Sequence, residues 1–165
     1  MKLDYRTGDI LKCVANTLIN PVNCLGVMEA GLAKQFKEKF PEACEDYRKE
    51  KKNYFPFTDV LHEFEENGKT IINFPTKWHY SQPSDMKLIE GGLDILSNRI
   101  YKLPQPIAIP ALGCGIGMLS WNSVHELIKK HLTDENGDTI FNSKILVFHP
   151  QSFPMGKPIK TKARQ

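Results

Sequence analysis

The sequence predicts an α/β fold, with a central mixed β-sheet between two helical layers in α/β/α order. Three observations carry this expectation. Short apolar runs alternate with helical patterns along the chain. One connection, Asn67-Gly68, is a hairpin turn and adds an antiparallel pair to an otherwise crossover topology. Two glycine-bearing loops, at 23–31 and 113–117, each come after an apolar run and lead into a helical pattern.

The first element is a short strand. Leu3 and Tyr5 alternate with polar neighbours before Thr7-Gly8-Asp9 turns the chain. The compact run 17–23 ends in polar Asn20 and Asn23 and then Gly26, a buried strand feeding a loop. A helix over 31–40 places Leu32, Gln35, Phe36 and Lys39 around its circumference, and Pro41 opens a second helix carrying Ala43, Cys44 and Tyr47. Strands at 60–64 and 70–74 flank the hairpin turn. Ser84-Asp85 caps a long helix through Ile89, Leu93, Leu96 and Ile100, which Pro104 and Pro106 stop. A strand at 107–110, the second glycine loop, a helix over 123–132 and a last strand at 144–148 complete the domain.

At 165 residues, 41% hydrophobic and 25% charged, the chain is long enough for one domain with a full core. The formal charge of +3 is localised. Residues 151–165 hold Lys157, Lys160, Lys162 and Arg164 without an acid, leaving 18 basic against 19 acidic side chains before them. The expected organisation is a domain over 1–150 and a flexible basic tail over 151–165. That balance is weak grounds for a nucleic-acid-binding face. Cysteines 13, 24, 44 and 114 form no CxxC pair and read as reduced thiols. No apolar run approaches the ~20 residues of a membrane helix. Asp4 stands where a signal peptide needs an apolar stretch, so a cytoplasmic setting without membrane contact is expected.

Glycine in a strand-to-helix turn serves steric needs by itself. Two such loops in matching context also make a pair of phosphate cradles, because each can aim backbone N–H groups one way ahead of a helix N-terminus. Two linked phosphates would suit them. A dinucleotide fingerprint is missing, and Asn67-Gly68-Lys69-Thr70 lacks the first glycine of a P-loop. Lys77 stands just beyond a buried strand and before Trp78-His79-Tyr80, placed for chemistry, for anion binding, or simply for solvent. An ordinary lysine is neutral in only ~0.04% of molecules at pH 7, so a nucleophilic one needs desolvation or a cationic neighbour. Trp78 and Tyr80 could exclude water there or pack in the ordinary way. His125, Glu126 and His131 have the wrong spacing for a helical zinc site, and neither a metal nor a cofactor is expected. A Cys–His nucleophile built on Cys24 or Cys114 ranks below these.

Gly8-Asp9-Ile10, Ile19-Asn20-Pro21-Val22-Asn23, the Gly26–Gly31 loop and the stretch Pro110 to Trp121 together resemble a macrodomain over residues 1–150. Asn73-Phe74-Pro75-Thr76-Lys77, followed by Ser84, Ile89, Gly92-Leu93 and Pro110–Gly115, resembles the branch of DNA ADP-ribosyl glycohydrolase antitoxins, which also includes the terminal ADP-ribose protein glycohydrolase. The resemblance implies an ADP-ribose ligand. Asp9 would accept from the adenine amino group, with Ile10 and Phe148 lining the base pocket. Gly113, Cys114, Gly115, Ile116 and Gly117 would wrap the diphosphate, with Met118 beside them. Asn20, Asn23, Gly26, Val27, Met28 and Gly31 would hold the distal ribose end, with Thr76 next to a catalytic Lys77. Protein-directed relatives carry an aspartate at the position of Gly117, and its absence matches the DNA-directed subgroup.

The implied activity is a glycohydrolase that removes ADP-ribose from nucleic acid, at a thymine base of DNA, by a monomer. An ADP-ribose 1″-phosphate phosphatase or O-acetyl-ADP-ribose esterase is the alternative enzyme, and a non-catalytic ADP-ribose-binding module the alternative of another class. The implied partners are ADP-ribose, ADP-ribosylated DNA and a cognate ADP-ribosyltransferase toxin. Full-length antitoxins carry a further C-terminal toxin-binding region, so with the sequence ending at 165 toxin sequestration is not expected.

Overall fold

The computed structural model describes residues 1–151, so the expected basic tail lies, but for Gln151, outside the described residues. Six strands form one sheet: β1 (Asp4–Arg6), β2 (Thr17–Asn23), β3 (His62–Glu66), β4 (Lys69–Lys77), β5 (Ile107–Pro110) and β6 (Ile145–Phe148). Their order is β1-β6-β5-β2-β4-β3. All neighbours run parallel except the hairpin pair β3 and β4. Four helices complete the fold: α1 (Gly31–Lys39), α2 (Pro41–Glu50), α3 (Met86–Arg99) and α4 (Trp121–Leu132).

The strands sort their side chains with the period of two that a pleated sheet imposes. Ile19, Ile72, Ile109 and Val147 face α3 and α4, together with Ile89, Leu93, Val124 and Ile128. Their chain neighbours Leu18, Ile71, Ala108 and Leu146 face the other way, onto Phe36, Phe40, Ala43 and Tyr47 of α1 and α2. Both faces are therefore apolar, and both must be covered. The result is the three-layer α/β/α arrangement with a mixed sheet that the sequence predicts. No helix among the described residues is long and apolar enough to cross a membrane.

Two prolines decide where the sheet opens. β2 pairs with β5 only at Thr17 and Leu18, although it pairs with β4 as far as Asn23 and Lys77. Pro21 has no N–H to give a ladder, and on the β5 side the ladder has already ended. Pro75 sits likewise beyond the β3 ladder, which ends at His62 and Asn73. This lets β4 run on to Lys77, three residues past the strand end predicted from sequence. Helix α4 also begins earlier than predicted, at Trp121, which is buried in the core.

Helix α3 seats on the sheet through a glycine. A Cβ on Gly92 would lie 2.4 Å from Cζ of Phe74, which is fully buried. Gly92→Ala is therefore expected to lower stability by about 1–3 kcal/mol, despite the better helix propensity of alanine. A urea midpoint that falls while the slope stays constant checks this.

Candidate functional site

The carboxyl ends of the parallel strands surround one cleft of about 890 Å3. This is where ligands gather in open α/β sheets, and the volume suits a ligand pocket. The lining comes from the segments at these strand ends: Gly8 to Ile10 after β1, Val27 and residues 29–33 after β2, Lys77 at the end of β4 with Tyr80 beyond it, Gly113 to Gly117 after β5, and Phe148 to Gln151 at the end of β6.

The loop after β5 is a set of aimed N–H groups. Gly113 has φ +71° and Met118 φ +67°, both left-handed. The Cys114 N–H donates to Ala111 O (3.1 Å), Met118 N–H to Gly115 O (3.0 Å) and Leu119 N–H to Gly113 O (2.9 Å). The N–H groups of Gly115, Ile116 and Gly117 find no acceptor among the described residues. A Cβ on Gly115 would meet nothing within 4 Å, so this position faces open space.

The loop after β2 offers a second set. Asn23 shapes it: its Oδ1 accepts from the N–H groups of Leu25 (3.0 Å) and Val27 (3.1 Å), and its Nδ2 donates to Val27 O (2.7 Å). Helix α1 has Ala30 at its N-cap, which offers no side-chain cap, so the N–H groups of its first turn stay free. Gly31 (φ +61°) brings the two loops together, since a Cβ there would lie 3.1 Å from Cδ1 of Ile116.

Charged side chains are few. Asp9, Glu29 and Lys77 line the cleft, with His149 near Phe148. Asp9 uses Oδ1 to cap the short helical turn Ile10–Lys12 through the Leu11 N–H (2.9 Å). Glu29 pairs with Lys37 at 2.9 Å, and that hydrogen bond holds its carboxyl below the usual range. Half-buried Lys77 donates no side-chain hydrogen bond and forms no ion pair among the described residues. Its backbone is fixed instead, with its carbonyl accepting from the Cys24 N–H at 2.9 Å.

Of the residues singled out from sequence, the cleft is lined by Asp9, Ile10, Asn23, Val27, Gly31, Thr76, Lys77, Gly113, Cys114, Gly115, Ile116, Gly117 and Phe148. Four lie outside this lining. Asn20 is fully buried in a cross-strand polar row: its Nδ2 donates to Asn73 Oδ1 (2.9 Å), and Asn73 Nδ2 meets His62 Nδ1 (2.9 Å). His62 Nε2 then meets Asp46 Oδ2 at 2.7 Å. Met28 is a core residue against the α1–α2 layer. Gly26 (φ +77°) lies against Arg48, where a Cβ would approach its Cα at 3.1 Å. Met118 is 77% exposed and points to solvent.

Sequence reading did not place Ser84 in the site. It lines the cleft, is buried, and its Oγ has no hydrogen-bond partner among the described residues. A Cβ on Gly117 would fall 2.0 Å from that Oγ and 2.6 Å from Gly113 O. Position 117 therefore accepts glycine alone while Ser84 stands where it does. The cysteine alternative also weakens: burial pushes the Cys24 thiol up to about 11 and the Cys114 thiol up to about 12, and Cys114 donates weakly to Leu112 O.

A profile of the Macro domain family matches residues 19–128. The DNA ADP-ribosyl glycohydrolase of Mycobacterium tuberculosis is 38% identical over 133 residues, covering 75% of this chain and 37% of the relative. The chain spans less than half the length of the DNA ADP-ribosyl glycohydrolases it matches. Among solved structures, the macrodomain of Thermus aquaticus DarG superposes with a TM-score of 0.78 at 33% identity, covering 90% of this chain and 98% of that one. Thermosipho africanus DarTG in complex with ADP-ribose gives 0.78 at 27% identity, over 93% and 43%.

A raised thiol stays protonated at neutral pH. Alkylation of Cys114 at pH 8 is expected to run about 10^3-fold slower than that of an unburied cysteine, and to rise roughly tenfold per pH unit between 7 and 9. Iodoacetamide labelling followed by peptide mass spectrometry measures this, and rapid labelling at pH 7 would show an activated thiol instead.

Proposed function

The chain belongs to the Macro domain family, and we propose that it is a glycohydrolase that removes ADP-ribose from DNA, with Lys77 as its catalytic residue. The observation that carries the reading is the pairing of two N–H cradles with an unpaired lysine in one cleft. A diphosphate suits facing sets of free N–H groups, because each is a fixed donor that needs no counter-charge. Relatives named DNA ADP-ribosyl glycohydrolase support the substrate.

In this reading the loop 113–117 holds the diphosphate, Asp9 and Ile10 with Phe148 take the adenine, and the 27–31 loop takes the distal ribose. Asp9 has one carboxylate oxygen left for an amino group after capping its turn. The distal C1″ then lies towards Lys77, with Thr76 beside it. The neutral amine bonds to C1″ as the C1″–N bond to the base breaks, the base takes up a proton, and water releases ADP-ribose from the adduct. The cognate ADP-ribosyltransferase is a proposed partner, in line with the DarTG relative.

One observation favours a second reading, an ADP-ribose-binding module. No carboxylate is paired with Lys77 among the described residues to assist it. The same experiment separates the two. Wild-type protein should release ADP-ribose from an oligonucleotide ADP-ribosylated on thymine, and Lys77→Ala should slow this by on the order of 10^3-fold or more. Equal cleavage by both proteins rejects Lys77, and tight ADP-ribose binding without turnover by either selects the binding module. Parallel assays on ADP-ribose 1″-phosphate and O-acetyl-ADP-ribose test the other small-substrate activities.

Gly115→Glu provides a control for the cleft itself. The new side chain meets no neighbour near its Cβ, so the fold should keep its melting temperature. Its carboxylate would stand in front of the free N–H groups, and calorimetry should show ADP-ribose binding lost.

A further inference from the structure

We propose that Trp78, His79 and Tyr80 form a stacking platform for the nucleotides next to the modified base. The proposal rests on the glycohydrolase reading for its location. It is carried by the segment's own geometry.

The two larger rings are not packed into the protein. Trp78 is 47% exposed and Tyr80 56%, directly after the strand that ends in Lys77. Burial of a ring this size would be favourable, so rings left in water beside a cleft mark a contact surface. They are also held in place. Trp78 Nε1 donates to Asp85 Oδ2 at 3.1 Å. Asp85 is itself fixed, because its Oδ1 accepts from the Lys87 N–H (2.8 Å) and its own N–H donates to Thr76 O (2.8 Å).

His79 is pinned in the same way. Its Nδ1 accepts from the Ser81 N–H (3.1 Å) and lies 2.7 Å from Ser81 Oγ. The Tyr80 ring lies on that imidazole, with centroids 4.2 Å apart and planes 30° apart. A turn closes the segment through the Gln82 N–H to His79 O at 3.1 Å. Rings ordered before a partner arrives lose little entropy on contact.

The position selects the partner. Tyr80 lines the cleft together with Lys77, whereas Trp78 lies outside it, so the aromatic segment leads from the cleft to the surface. A base attached at C1″ must leave the cleft past Lys77, and its polymer then passes over residues 78–80. Every base has a π face, so aromatic rings hold a strand without reading its sequence. Bases inside a duplex keep their faces stacked on one another, and only a single strand or a flipped base can use the platform.

The test compares wild type with Trp78→Ala and Trp78→Phe on two substrates, an ADP-ribosylated single-stranded oligonucleotide and an ADP-ribosylated mononucleoside. The alanine variant should raise KM for the oligonucleotide on the order of tenfold and leave the mononucleoside unchanged. The phenylalanine variant should restore the oligonucleotide value, which a merely structural tryptophan would not do so selectively. An unchanged oligonucleotide KM, or equal losses on both substrates, overturns the platform. Tryptophan fluorescence gives an arm that needs no catalysis. Trp121 is 4% exposed, so quenching by an unmodified oligonucleotide reports on Trp78. If wild type turns over neither substrate, the glycohydrolase reading fails. Quenching that Trp78→Phe does not show then supports the platform alone, and no quenching overturns it as well.

Discussion

The site depends on one gap in a hydrogen-bond ladder. β2 and β5 are neighbours in the sheet, yet their pairing stops at Leu18, five residues before β2 ends. Beyond that point β2 stays with β4, and the loops after β2 and β5 leave the sheet on opposite sides of an opening. Pro21 makes the gap inexpensive, since a residue without an N–H loses nothing where no ladder exists. The contacts that hold β2 to its remaining neighbour are partly polar. The row Asn20–Asn73–His62 crosses β2, β4 and β3 at one register and ends on Asp46 of α2. With Asp46 accepting at Nε2 and the Asn73 amide donating to Nδ1, His62 carries its proton on Nε2. The row occupies the face covered by α1 and α2, so it braces the cleft from behind and does not line it.

The gap then lets backbone groups do what side chains do elsewhere. Two loops arrive with unpaired N–H groups and touch through Ile116 and Gly31. Lys77 is the sole Lys or Arg among the lining residues, and Glu29 and Asp9 are acids. An anion held here is held by fixed dipoles, so recognition depends on where those dipoles point more than on net charge. Such a site also leaves its one lysine free of a competing anchor. That is the condition a lysine needs if it is to serve a reacting carbon.

How much of this was legible depends on the range of the forces involved. β2, β5 and α2 could be read because apolar runs, Pro41 and the flanking turns are local signals. The end of β4 could not, because Pro75 reads as a strand breaker until the β3 ladder is seen to stop before it. Asn20 and Asn23 look alike in sequence, three residues apart at a strand end. Their fates differ because the partners differ: one meets Asn73 across the sheet, and the other meets its own loop. Ser84 gave a capping signal, but Asp85 caps the helix and Ser84 turns to the second glycine loop. That contact joins positions more than thirty residues apart and leaves no trace in either segment.

The Ser84 contact also explains a feature that composition leaves arbitrary. Glycine at 117 would be a mere preference if it served only to turn the chain, and its φ is not in the left-handed region. The requirement comes from outside the loop. Ser84 N–H donates to Gly117 O at 3.0 Å, which draws the start of α3 against the loop, and Ser84 Oγ then fills the space a side chain would need. The same bond helps to set the loop's curvature, and the neighbouring N–H groups of Gly115 and Ile116 remain turned away from any acceptor. No side chain at 117 can therefore reach towards Lys77 without moving α3. Any group that assists Lys77 therefore has to come from another segment, and Lys77 is left as the one Lys or Arg side chain among the residues that line the cleft.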